Sequence, residues 1–110
     1  MKVFIFLILF MPSLAYSAGQ VNRFKIEYVR VDNSGKGIIK FEKRLTGSPA
    51  SCIKGHPQHL SFNLNTEAGK GIMSLALAAH TAGKTITARG SGRCSHYGSV
   101  ESWDWGIIDK

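Results

Sequence analysis

Residues 60 to 90 read "LSFNLNTEAGKGIMSLALAAHTAGKTITARG", and the period changes twice within them. From Leu60 to Asn65 apolar and polar residues alternate, with Leu60, Phe62 and Leu64 on one face and Ser61, Asn63 and Asn65 on the other, which is the pattern of a half-buried strand. From Ala68 the apolar positions are Ile72, Leu75, Ala76 and Ala79, the spacing of one buried helical face. Asn65 or Thr66 can cap the start, Glu67 suits the positive end of the helix dipole, and Gly83 can end the helix in a left-handed conformation. Gly69 and Gly71 weaken the first turn, which places the firm helix near Gly71 onward. "KTITARG" (84–90) then returns to strand, with Ile86 and Ala88 inward and Thr85, Thr87 and Arg89 outward.

Two more strands precede this unit. "RFKIEYVRVD" (23–32) alternates, placing Phe24, Ile26 and Tyr28 on one face. "NSGKG" (33–37) is turn chemistry, and "IIKFEKRL" (38–45) alternates through Ile39, Phe41 and Leu45, so the two form a hairpin. "VESWDWGII" (100–108) is the last strand. The fold class is mainly β with one α-helix, in the order β-β-β-α-β-β. That is the chain order of a small five-stranded OB-fold-like barrel.

The start of the chain sets the expected compartment. Lys2 is followed by "VFIFLILFM" (3–11), an apolar run far shorter than the roughly 20 residues a membrane-spanning helix needs. "PSLAYSAG" (12–19) has Ala15 and Ser17 at the −3 and −1 positions of a cut before Ala18, with Ala15 itself the second choice. Residues 1–17 are therefore read as a signal peptide and 18–110 as a single domain, exported to the periplasm or secreted, with no stable membrane anchor after cleavage. Removing Lys2 leaves 13 basic residues against 7 acidic ones, a charge of about +6 that favours anionic surroundings or simple solubility.

Ninety-three residues build one modest core, and small exported domains often add a covalent staple. Cys52 and Cys94 are the two cysteines of the chain. An even count in an oxidising compartment favours a disulfide over a reactive thiol. It would close a loop of about 43 residues, worth roughly 4 kcal/mol. Cys94 stands in "GSGRCSHYGSV" (90–100), a glycine-rich crossing between the last two strands, so that crossing is expected to be held.

Several residues are candidates for recognition. Trp103 and Trp105 are two apart on one strand and share a face with Ile107. Paired indoles make a stacking platform for sugars or bases, or they plug one end of the barrel. Arg89, Arg93, His96 and Tyr97 are expected to cluster near the stapled crossing, where guanidinium, imidazole and phenol suit a carboxylated or phosphorylated ligand; the alternative is a solvated basic loop. His56 and His59 flank Pro57, and no carboxylate or thiolate joins them at a metal-site spacing, so no metal and no cofactor are expected. Nucleophile, metalloprotease and phosphate-loop signatures are missing, and catalysis is not expected.

The segment "GIMSLALAAHTAGKTITARGSGRCSHYGSVESWDWGIID" (71–109) resembles the B subunits of bacterial toxins that pair an A chain with a pentameric B ring, of the subtilase cytotoxin type. There a small-residue helix ends in Ala-Gly-Lys, a strand follows, and a cysteine precedes the last strand. The resemblance implies an OB-fold, binding of cell-surface glycans, and a homo-pentameric ring whose helices line its hole. Three readings stand side by side: a glycan-recognising subunit, a periplasmic protein-interaction or inhibitor protein, and, ranked third because of the export signal, a nucleic-acid-binding domain.

Overall fold

The computed structural model describes residues 17–110; the stretch read as a signal peptide, but for Ser17, lies outside them. Seven strands and one helix run in the order β1 (Gly19–Phe24), β2 (Ile26–Val31), β3 (Lys36–Phe41), β4 (Thr46–Gly47), β5 (His59–Asn63), α1 (Glu67–Ala82), β6 (Ile86–Gly90) and β7 (Trp103–Ile108). They form two sheets, β4-β1-β6-β7 and β2-β3-β5, with every named strand pair antiparallel. The chain is thus mainly β with one helix, as the periodicity predicts. It does not draw one continuous closed barrel among the described residues.

The reason is visible in the first long strand, which was expected to run unbroken through Arg23–Asp32. Arg23 has φ 58°, a left-handed conformation that side chains other than glycine rarely adopt, and it is the extra residue of a bulge facing β6. The chain bends there and splits into β1, which joins one sheet, and β2, which joins the other. The sheets meet again on the far side through a single parallel bridge between Ser61 and Ser102, where the Ser61 amide donates to the Glu101 carbonyl at 2.8 Å. Thr46 and Gly47, just past the second strand read from the sequence, add the two-residue β4 to the edge of β1.

Val21, Phe24, Ile26, Ile39, Phe41, Leu45, Leu60, Phe62, Ile86, Ala88 and Trp103 fill the space between the sheets, and α1 covers it with Ala76 and Ala79. Ser61, expected to face outward, is fully buried because its amide and hydroxyl both bond to the Glu101 carbonyl. The helix starts earlier than its glycines predict, at Glu67. Thr66 caps it by accepting from the Gly69 amide at 2.9 Å, and a Cβ at Gly69 would stand 1.7 Å from the Asn63 carbonyl oxygen. Gly69 thus lets the helix start against the end of β5. Gly83 ends it in the left-handed conformation, as expected.

Cys52 and Cys94 are joined, with Cα atoms 6.2 Å apart, tying the loop before β5 to the β6–β7 crossing. That crossing is also held by hydrogen bonds. The Ser102 amide and hydroxyl both donate to the Arg93 carbonyl at 2.8 Å, and the Ser91 and Ser102 hydroxyls are 2.8 Å apart.

Candidate ligand-binding face

The outer face of the β4-β1-β6-β7 sheet is built by alternation. With Val21, Ile86 and Ala88 inward, the strands leave Gln20 and Asn22 of β1 and Thr87 and Arg89 of β6 pointing away from the core. Register then sets these side chains in rows. Thr46 pairs with Gln20, Gln20 with Arg89, and Arg89 with Trp105; alongside, Asn22 pairs with Thr87 and Thr87 with Ile107. The first row crosses four strands, about 14 Å at the usual strand spacing. Between the rows lies a groove of about 180 Å³ lined by Gln20, Asn22, Thr87, Ala88, Arg89 and Trp105.

Trp103 and Trp105 do not share a face. Trp103 pairs with Gly90 and Trp105 with Arg89, so Asp104 is an extra residue in β7 and resets the alternation. Trp103 turns inward to 9% exposure and its indole lies over Gly106, whereas Trp105 is 49% exposed and Ile107 53%. One indole plugs the core and the other presents a ring to solvent.

The expected cluster of Arg89, Arg93, His96 and Tyr97 divides. Arg89 lies in the groove beside Trp105. Arg93 is exposed on the crossing, and its backbone carbonyl anchors Ser102. Tyr97 instead reaches the β2–β3 hairpin and donates its hydroxyl to Asp32, which also takes a two-pronged contact from Arg30 at 2.8 and 3.0 Å. Burial, with the Asp32 bond second, pushes the Tyr97 phenol up to about 12. The bonds from Arg30 and then Tyr97 hold the Asp32 carboxyl below its usual range. His96 lies near Lys36, and burial followed by that charge lowers its pKa. The side chains diverge because the crossing turns between Arg93 and Tyr97, closing with a bridge from Tyr97 to Val100.

At the other end of the groove Asp109 accepts from the hydroxyls of Thr85 at 2.7 Å and Thr87 at 2.8 Å. Thr85 first, then Thr87 and the charge of Arg23, hold its carboxyl low. This fixes the Thr87 hydroxyl at the groove wall. Among the described residues Arg89 has no ion-pair or hydrogen-bond partner, so its donors are available to a ligand. The Asn22 amide donates to the Thr46 hydroxyl, which orients it along the sheet.

A second cavity, of about 210 Å³, is lined by Lys25, Ile26, Ala79, His80, Gly83 and Lys84. Although larger, it has no aromatic ring, and its lysines stand at the carbonyl end of α1, where the helix dipole disfavours an anion. The histidines are dispersed. His56 and His59 have ring centroids 5.1 Å apart, while His80 contacts the Ile26 carbonyl at 3.1 Å. Among the described residues no group of three or more His, Cys, Asp or Glu side chains could hold a metal ion.

Gln20, Asn22 and Thr87 were not among the sequence candidates for recognition. The signal for the two amides was present in "GQVN" (19–22), where they flank Val21, but it precedes the stretch read as the first strand; Thr87 was read as outward-facing without a role. Comparison with protein-family models, curated proteins and solved structures finds no match to this chain.

Proposed function

We propose that this chain is an exported, non-catalytic binding module that recognises a cell-surface glycan on the open face of its β4-β1-β6-β7 sheet. The single observation that carries the reading is the convergence of one exposed indole, one guanidinium without a partner among the described residues, two amides and a hydroxyl in the Trp105–Arg89–Gln20–Asn22–Thr87 groove. Sugars offer apolar C–H faces that stack on an indole, and ring hydroxyls that exchange hydrogen bonds with amides and guanidinium. A single platform held by paired strands is pre-organised, which reduces the ordering that binding requires.

The fold reading belongs with it. With β1 and β2 taken as one bent strand, the pairings β2–β3, β3–β5, β6–β7 and β1–β6, together with the parallel Ser61–Ser102 bridge, support the reading of a five-stranded OB-fold-like barrel. The disulfide is consistent with an oxidising compartment. No helix among the described residues is long and apolar enough to cross a membrane.

The test is a glycan array probed with residues 18–110, followed by titration of any hit. Base stacking on an aromatic ring is worth about 1–3 kcal/mol, and on the same scale for a sugar ring Trp105→Ala should weaken binding about fivefold or more. Arg89→Ala should weaken anionic glycans more than neutral ones. Both variants should keep the wild-type melting temperature within a few degrees, because the two side chains are not core residues. A blank array at high protein concentration, or a Trp105→Ala protein that binds as wild type, would overturn the assignment. Capture of an envelope protein in place of any glycan would move it to the interaction-protein reading. Light scattering on the same sample decides whether the module forms a five-membered ring.

A further inference from the structure

Glu101 has no exposed surface, yet no basic side chain pairs with it among the described residues. Its carboxylate is held by backbone amides alone. Gly19 donates at 2.9 and 3.2 Å, Ala50 at 2.7 Å and Gly92 at 3.2 Å. These amides come from the start of β1, the loop before β5 and the β6–β7 crossing, so one buried carboxylate gathers three distant segments. A buried carboxylate without a cation is expensive, and three amide dipoles offset only part of that cost.

The uncompensated charge sits beside the expected processing point. The nitrogen of Ala18 is one residue from that of Gly19, at most about 3.6 Å further along the chain and so within about 6.5 Å of the carboxylate. Ala18 itself is buried at 6% exposure. The carbonyl of Ser17, the other half of the same peptide bond, packs so closely on Gly92 that a Cβ there would stand 2.2 Å from its oxygen.

We propose that hydrolysis of the Ser17–Ala18 peptide bond supplies the cation that Glu101 lacks: the new α-ammonium of Ala18 folds in as its ion-pair partner. This rests on the export reading for the protease but not for the pairing. A signal peptidase adds one water across the bond, leaving a carboxylate on Ser17 and an ammonium on Ala18. With the bond docked against Gly92, cleavage precedes folding, and the freed terminus then closes onto Glu101. Processing thereby becomes part of the folding energy, and the unprocessed precursor is the less stable form.

Two chains made in the cytoplasm and released by a scarless protease separate the possibilities. One begins at Ala18; the other retains Ser17 behind a short Gly-Ser extension. Without the ion pair, the extended chain should be the more stable, because the Ser17 hydroxyl donates to the Ser48 carbonyl at 2.6 Å. With it, the trimmed chain should have a folding equilibrium constant about tenfold larger, ~1.4 kcal/mol, and a melting temperature about 5 °C or more higher at pH 7. The advantage should run one way with pH. An amine paired in the fold titrates above its ordinary range of about 7.7–8.0. The extra stability is then full below that range and disappears as pH rises through the folded value.

Glu101→Gln should abolish the advantage of trimming. Should that variant not fold, slow acylation of the trimmed chain's α-amine relative to its lysines in the native state carries the same information. Equal stability of the two chains across pH 6–10, or an α-amine that reacts as fast as in the denatured chain, overturns the pairing. Mass analysis of exported material addresses the export reading separately: a terminus elsewhere than Ala18 removes the processing step and leaves the measured pairing untouched.

Discussion

Gly90→Ala should be among the most damaging single-methyl additions in this domain. A Cβ at residue 90 would stand 1.7 Å from Oε2 and 2.4 Å from Cδ of Glu101, so the carboxylate must retreat. It sits buried against three amides, and moving it away from Gly92 and Gly19 breaks charge-assisted bonds worth about 1.5–3 kcal/mol each. We expect a loss of about 3 kcal/mol or more, which for a domain of this size lowers the melting temperature by about 12 °C or more. Gly98→Ala in the same crossing is the control. No atom lies within 4 Å of a Cβ at residue 98, and its φ is not positive, so that change should be neutral or add about 0.4–1 kcal/mol by stiffening the unfolded chain. Urea unfolding followed by tryptophan fluorescence measures both, with Trp103 reporting on the core. If Gly90→Ala falls within about 1 kcal/mol of Gly98→Ala, the buried carboxylate does not organise the crossing.

Replacing both Cys52 and Cys94 by serine opens a constraint between residues 42 apart and should remove about 4 kcal/mol, shifting the urea midpoint by more than about 1 M; coincident curves for oxidised and reduced protein would show the staple idle. Burial first, then the charges of His56 and Lys40, hold His59 below its ordinary pKa, so the fold favours its neutral form. Its contribution is complete above about pH 6.5 and lost as pH falls toward the folded value. His59→Gln should flatten the fall in stability below about pH 6.5; an unchanged slope would assign it elsewhere. The Tyr97 phenol should ionise only near pH 12 in the native state, and the late step in tyrosinate absorbance should be missing from Tyr97→Phe.

Element types were legible in the sequence, and facing was legible only between bulges. Leu60, Phe62, Ile39, Phe41, Ile86 and Ala88 are buried as read, whereas Ser61, read as outward, is buried as well. At Arg23, Glu27 and Asp104 an extra residue stands against one partner step, and beyond each the faces exchange. Tyr28 was grouped with Phe24 and Ile26, yet past the Glu27 bulge it is 37% exposed, within 5.7 Å of the Lys40 ammonium. Trp103 was grouped with Trp105 for the same reason. Bulges arise from cross-strand register, which a single strand's pattern does not carry. The disulfide was readable from the even cysteine count and the expected oxidising compartment. The amide cage of Glu101 was not, since its donors are backbone groups from three remote segments.

The same crossing accounts for the stiffness of the proposed platform. Between β6 and β7 the chain is fixed at Gly92 by Glu101, at Arg93 by Ser102, at Cys94 by the disulfide and at Tyr97 by Asp32. These ties determine where β7 begins, hence that Gly90 faces Trp103 and Arg89 faces Trp105. A slip of one residue would exchange the two indoles, exposing the one that fills the core and burying the one beside the groove. Core packing of Trp103 and display of Trp105 are therefore a single choice of register, and the ties that stabilise this small domain also set the geometry of its open face.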